Sequence, residues 1–114
     1  DRVDTARSAA AQWDQVVVLK GAHTVVSAPD GRMTISRFAN PALASAGTGD
    51  VLAGIIGGLL AQGLTTYDAA RLGVYVHAAA GDRVSEWTGV SGLLASDLHG
   101  EIPHVVEALR RIRT

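Results

Sequence analysis

The chain has 114 residues, 47% apolar but only 4% aromatic, with a formal net charge of -1. That length allows one domain with a core of Ala, Val, Leu and Ile, and the near-neutral, evenly spread charge gives no electrostatic case for nucleic acid or a polybasic membrane patch. The absence of cysteine excludes disulfides and thiolate metal sites, and the longest apolar run, residues 51–61, is far short of the roughly 20 residues that span a bilayer.

The elements follow in chain order. Residues 3–13 have a helical period, with Val3, Ala6, Ala10 and Trp13 on one face. Residues 15–19, with the continuous run Val16-Val17-Val18-Leu19, read as a strand buried on both faces. Helix followed by buried strand is half of a βαβ repeat. Residues 24–28 and 32–38 read as two strands of an edge hairpin joined by the turn signal Pro29-Asp30-Gly31, with Met33 and Ile35 alternating against polar neighbours. A loop over 39–49 leads into an apolar helix over about 50–62. Its Gly54, Gly57 and Gly58 each weaken it by roughly 1 kcal/mol relative to Ala, which points to close backbone approach of another element. Thr65-x-x-Asp68 is a capping box for a helix over 66–87. Ser96 can cap a short helical segment, and Pro103 falls in the first turn of a last helix ending near Ile112. One strand and a hairpin leave the sheet incomplete, so the chain reads as part of a larger α/β unit.

Two segments carry chemistry. Gly47-Thr48-Gly49-Asp50 stands where loop becomes helix. Backbone N–H groups there are unpaired, and with the helix dipole they form an anion site. Gly47 and Gly49 let the backbone approach the anion, and Thr48 offers a hydroxyl donor. Asp50 has two readings: a helix N-cap, or a carboxylate that accepts a proton from a substrate hydroxyl beside the anion. The second segment is Lys20-Gly21-Ala22-His23-Thr24, directly after the buried strand, where open α/β sheets bind ligands. Lys20, the only lysine, is either a phosphate contact or an exposed turn residue. His77 reads as a core or satisfied polar residue, and His99 and His104 as surface residues. No histidine pair has metal-ligand spacing, so no protein-held metal site is expected. Asp97 and Glu101 share a helix face and read as solvated.

The run from Asn40-Pro41-Ala42-Leu43 through Gly47-Thr48-Gly49-Asp50 to Val51-Leu52-Ala53-Gly54 resembles the signature of the ADP/ATP-dependent NAD(P)H-hydrate dehydratases. Val17-Val18-Leu19-Lys20-Gly21-Ala22-His23-Thr24 resembles their nucleotide-binding strand and loop, and Gly92-Leu93-Leu94-Ala95-Ser96-Asp97-Leu98 with Ile102-Pro103 their C-terminal segment. Ala39 and Leu43 depart from the Gly and Met that members often carry there.

The resemblance implies that residues 1–114 are the C-terminal part of a single ribokinase-like domain: a mostly parallel central sheet flanked by helices, with an edge hairpin. It implies metabolite repair, in which ADP or ATP, accompanied by Mg2+, phosphorylates the hydroxyl of hydrated NADH or NADPH and phosphate elimination restores the dinucleotide. Lys20, Gly21, Ala22, His23, Thr24 and Gly49 would contact the adenine nucleotide. Gly47, Thr48 and Gly49 amides would stabilise charge on the transferred phosphoryl group. Asp50 would bind the hydrate and act as its base. A homo-oligomer such as a tetramer, in the cytoplasm, is implied as well. Two alternatives stay open: a kinase of the same superfamily acting on a vitamin precursor or sugar alcohol, and a non-catalytic nucleotide-binding fragment.

Overall fold

A computed structural model of the chain describes residues 1–112, so the last two residues of the expected unit lie outside it. The described elements are α1 (Arg2–Trp13), β1 (Val17–Leu19), β2 (Val25–Ser27), β3 (Met33–Ile35), α2 (Thr48–Ala61), α3 (Thr66–Thr88) and α4 (Leu98–Ile112), with 3-10 turns at Pro41–Ala44 and Ala95–Asp97.

The three strands lie in the order β1-β2-β3 and both pairings are antiparallel. Residues 20–24 and 28–32 are tight connections, which suit antiparallel neighbours, whereas a parallel pair needs a crossover of a dozen or more residues. The Pro29-Asp30-Gly31 signal does make its hairpin. Gly31 N–H donates to Ala28 O at 3.1 Å, and Ala28 N–H to Arg32 O at 2.9 Å. Gly31 has φ +97°, the positive φ that this three-residue loop requires.

Helices cover both faces of the sheet. Val26, Ala28 and partly buried Val18 pack on Leu52 of α2 and on Tyr67, Ala70 and Val74 of α3. On the other face Val25 and Ser27 are buried under α1, whose Ala6 and Ala10 are themselves buried. Trp13 does not join that face: it is 62% exposed, past the last turn that reaches the sheet. β1 is only half-buried rather than covered on both faces, because its outer edge pairs with no described strand. Ile35 is likewise exposed, and Thr34 turns inward instead, its Oγ1 2.6 Å from Tyr67 Oη.

The long helix α3 is the strut of the structure. It is buried on most sides from Tyr67 to Val84, and a second core cluster joins its Val76, Ala80 and Val84 to Ala42, Leu93, Leu98 and Val105. The close helix–helix approaches are made by glycines of α3, not by Gly54, Gly57 and Gly58 of α2. A Cβ on Gly73 would lie 2.6 Å from Ile56 Cγ1, and one on Gly81 2.6 Å from Leu43 Cδ2, whereas Gly54, Gly57 and Gly58 have nothing within 4 Å. The glycine cost in α2 therefore has no packing partner among the described residues.

Thr65 Oγ1 accepts the Asp68 N–H at 3.2 Å as expected, but the Asp68 carboxylate turns to Arg71 and leaves the box half closed. The last helix starts at Leu98, earlier than expected, so Pro103 sits inside it rather than in its first turn. Its lead-in is set by Asp97, whose carboxylate accepts the Leu94 N–H at 2.9 Å, and not by Ser96. Glu101 is also engaged, pairing with Arg83 at 2.9 Å and tying α4 to α3. Neither acid is merely solvated.

Candidate active site

A cleft of about 830 Å³ opens between the loop after β1, the stretch from Ser36 to Gly47 and the first turn of α2, with Val74, His77 and Ala78 of α3 behind it. That volume lies within the range of small-molecule sites, roughly 300–1,000 Å³.

The two sequence segments meet in this cleft. Lys20, Gly21, Ala22, Thr24, Gly47, Thr48, Gly49 and Asp50 all line it. The closest link is between Lys20 and Gly49: a Cβ on Gly49 would sit 2.5 Å from Lys20 Nζ. A glycine is needed there to seat the ammonium against the backbone. His23 does not line the cleft. It adopts φ +55°, donates its N–H to Phe38 O at 3.0 Å and places Nδ1 2.9 Å from Ser36 O, so it ties the loop to the segment that follows β3.

The helix start has the geometry of an anion site. Gly47 is the N-cap, with φ +87° and no side-chain cap. The first helical bond runs from Val51 N–H to Gly47 O at 3.3 Å, so among the described residues the N–H groups of Gly49 and Asp50 have no backbone acceptor. Asp50 is thus the third helical residue, exposed, and not the N-cap. Among the described residues its carboxylate has no hydrogen-bond or ion-pair partner. Thr48 behaves differently from expectation. Its hydroxyl is buried and is directed at Leu43 O (2.5 Å) and Ser45 O (3.0 Å). One hydroxyl proton cannot also serve a ligand, so Thr48 braces the loop. Asp50 also borders a second recess of about 420 Å³ between α2 and α4, lined in part by His99.

Three residues matter here whose part in the site was not legible in the sequence. The Arg2 guanidinium donates to Leu19 O at 3.0 Å, Lys20 O at 2.9 Å and Ala22 O at 2.6 Å, with His23 O at 3.4 Å. One side chain from α1 thereby gathers the carbonyls of the Lys20 loop, a task suited to the rigid five-donor fork of Arg. Asn40 accepts the Ala42 N–H at 2.9 Å and donates to Asp82 Oδ1 and Ser85 Oγ, both at 2.9 Å, pinning the loop before α2 onto α3. His77 is 8% exposed, and its Nε2 lies 2.8 Å from Thr48 O. Burial pushes its pKa down, the bond to Thr48 opposes that, and the Lys20 charge pushes it down further. It is the satisfied polar residue expected, but it is also a wall of the cleft. Only distance in sequence hid these three: each partner lies 17 to 45 residues away along the chain, apart from the Ala42 amide.

The family model described as NAD(P)H-hydrate dehydratase matches residues 1–104. The chain belongs to that family. A bifunctional NAD(P)H-hydrate repair enzyme of Moorella thermoacetica is 46% identical over 109 residues, covering 96% of this chain and 21% of the relative. An ADP-dependent (S)-NAD(P)H-hydrate dehydratase of Neisseria meningitidis is 44% identical over 86% of this chain and 33% of its own length. The solved ADP/ATP-dependent NAD(P)H-hydrate dehydratase of Bacillus subtilis, co-crystallised with ATP and Mg2+, superposes with a TM-score of 0.90 at 36% identity, covering 95% of this chain and 39% of that one. This NAD(P)H-hydrate dehydratase family chain thus spans between a fifth and two fifths of the length of the relatives it matches, and its α/β fold is theirs over that span.

Proposed function

We propose that this cleft binds an adenine nucleotide and takes part in the ADP- or ATP-dependent dehydration of hydrated NADH or NADPH. The observation that carries the reading is the seating of Lys20 against Gly49, at a helix start whose amides are open and beside the free Asp50 carboxylate. An ammonium and open amides suit the terminal phosphates, and a carboxylate beside them suits removal of a proton from the attacking hydroxyl. Asp50 takes the hydroxyl proton of the hydrate as its oxygen attacks the terminal phosphorus, and the nucleotide leaves one phosphate shorter. The phosphate ester then expels inorganic phosphate as the neighbouring ring position loses a proton, restoring the dihydronicotinamide. Lys20, Gly21, Ala22, Thr24, Gly47 and Gly49 hold the nucleotide in this reading. Thr48 and His23 shape the two loops.

A magnesium ion fits as a companion of the nucleotide. Among the described residues lining the cleft, Asp50 is the only carboxylate, which suits a cation held mainly by phosphate oxygens and water. The same reading places residues 1–114 within one ribokinase-like domain, in a homo-oligomeric enzyme of the cytoplasm. Sedimentation of the full protein tests the assembly.

The activity is tested by incubating the full protein with hydrated NADH and either ADP or ATP and following NADH absorbance. Recovery with nucleotide and none without it is expected, and Asp50→Ala should lower turnover by about 100-fold or more while sparing nucleotide affinity. A stable phosphorylated vitamin precursor or sugar alcohol in place of NADH recovery would make the protein a kinase instead. Unchanged turnover in Asp50→Ala would leave a nucleotide-binding module.

A further inference from the structure

His77 projects from the middle of α3 into the wall of the cleft, where it is 8% exposed. Its partner is a carbonyl, Thr48 O, at 2.8 Å. A carbonyl only accepts, so Nε2 carries the proton and donates. The bond crosses from α3 to the first turn of α2, onto the peptide that joins Thr48 to Gly49. That peptide is planar and trans, so its C=O and N–H point in opposite directions. Holding Thr48 O towards α3 therefore aims the Gly49 N–H away from α3, out of the helix start. Gly49 N–H is one of the two open amides, and Lys20 Nζ sits over the same residue. The Thr48 hydroxyl secures the turn on its loop side through Leu43 O and Ser45 O. One peptide is thus fixed by α3 behind it, with its amide and the ammonium left facing the cleft.

We propose that His77 is a positioning residue, whose Nε2–H holds the Thr48–Gly49 peptide so that the Gly49 amide meets the phosphoryl group being transferred from a nucleoside di- or triphosphate. This rests on the nucleotide reading of the cleft. In this role His77 acts through the Gly49 amide and not on the reacting atoms. The energetic case is that an aligned amide counts most when charge develops on the transferred group, where loss of one donor costs about 100- to 1,000-fold in turnover. A misaimed amide forfeits part of that.

The test compares His77→Gln, His77→Asn and His77→Leu in the full protein, measuring kcat and KM for the hydrate and ADP affinity by calorimetry, with thermal melts as a folding control. The Gln amide nitrogen stands as far from the backbone as Nε2, whereas that of Asn falls at the position of Nδ1. Gln should therefore keep kcat within about 5-fold, while Asn and Leu lose about 10-fold or more with the hydrate KM little changed. Gln as poor as Leu, or Asn as good as Gln, overturns the proposal, the first because the imidazole itself would then be needed. Leu with wild-type turnover also overturns it. Should Leu unfold, the contrast between Gln and Asn decides alone. Wild-type protein that binds no ADP overturns the nucleotide reading and this inference together; wild-type protein that binds and turns over while the variants behave alike overturns this inference only.

Discussion

Replacing Gly49 by Ala should weaken nucleotide binding without weakening the fold. Gly49 lies in the first turn of α2, at a φ that any residue adopts, so the backbone tolerates a methyl group. Relative to Gly, Ala should stabilise the helix by about 0.5–1 kcal/mol. The added Cβ would lie 2.5 Å from Lys20 Nζ, nearer than two such atoms approach, and 3.8 Å from Lys20 Cε. The atom that must yield is the tip of a flexible side chain, so the fold absorbs the change at little cost. The ammonium, however, loses its seat beside the open amides. A hydrogen bond to a charged group contributes about 1.5–3 kcal/mol, and its loss corresponds to about 10- to 150-fold in affinity. The expected result is a melting temperature unchanged or a few degrees higher, with ADP affinity lower by that factor, read by calorimetry on the full protein. If the effect runs through Lys20, the double variant with Lys20→Ala binds like Lys20→Ala alone. Wild-type affinity in Gly49→Ala would refute the seating of Lys20 as the basis of the site, and a loss of more than about 1 kcal/mol of stability would refute the packing argument.

Three further outcomes are expected. Arg2→Lys replaces a fork that gathers carbonyls of the Lys20 loop with a single ammonium; the nucleotide KM should rise by about 10-fold with kcat changed much less, as steady-state kinetics would show. Gly81→Ala drives a methyl group to 2.6 Å from Leu43 Cδ2 and 2.9 Å from its Cγ; overpacking should destabilise the protein by about 1–2 kcal/mol in urea titration, and, because Leu43 lines the cleft, nucleotide affinity should fall as well. For His77 the folded-state pKa lies below its ordinary value of 6.5, chiefly through burial. The unfolded chain then binds the proton more readily, so this contribution to stability is present above that value and is lost as pH falls through it towards the folded pKa. Stability of wild-type protein should therefore drop on acidification in that window more steeply than that of His77→Gln, and equal slopes would show that His77 is not desolvated.

The local chemistry was legible in the sequence, and the long-range chemistry was not. Pro29-Asp30-Gly31 made its hairpin and Thr65 its cap because both act within a few residues. The open amides of the Gly47-to-Asp50 turn were legible because helix starts leave amides unpaired whatever surrounds them. The Asp50 N-cap reading failed by three residues, since Gly47 with its positive φ starts the helix earlier. The Thr48 hydroxyl could not be assigned, because a hydroxyl serves whichever acceptor the fold brings near, and here those are Leu43 O and Ser45 O. The glycines of α2 and α3 show the same limit. The sequence points to Gly54, Gly57 and Gly58 of α2 for close approach, but only the three-dimensional arrangement shows that Gly73 and Gly81 of α3 are the ones that make it. The pairing of β1 with β2 was not legible, because a continuous apolar run signals burial and carries no partner; the short connection to β2 set that pairing.

The strut α3 has a consequence for how the site can change. It meets its neighbours largely through Ala, Gly and Val, side chains with few rotamers or none. Spacing across such contacts cannot be retuned by turning a side chain; it is a backbone dimension. The loop bearing Lys20 and the turn bearing Asp50 are both carried by elements that rest on this helix, so the gap between them behaves like the jaw of a fixed gauge. Substitutions on the strut move the jaw, whereas substitutions at loop positions such as Ser36, Ala39 and Ala44 reshape the opening and leave the gauge set.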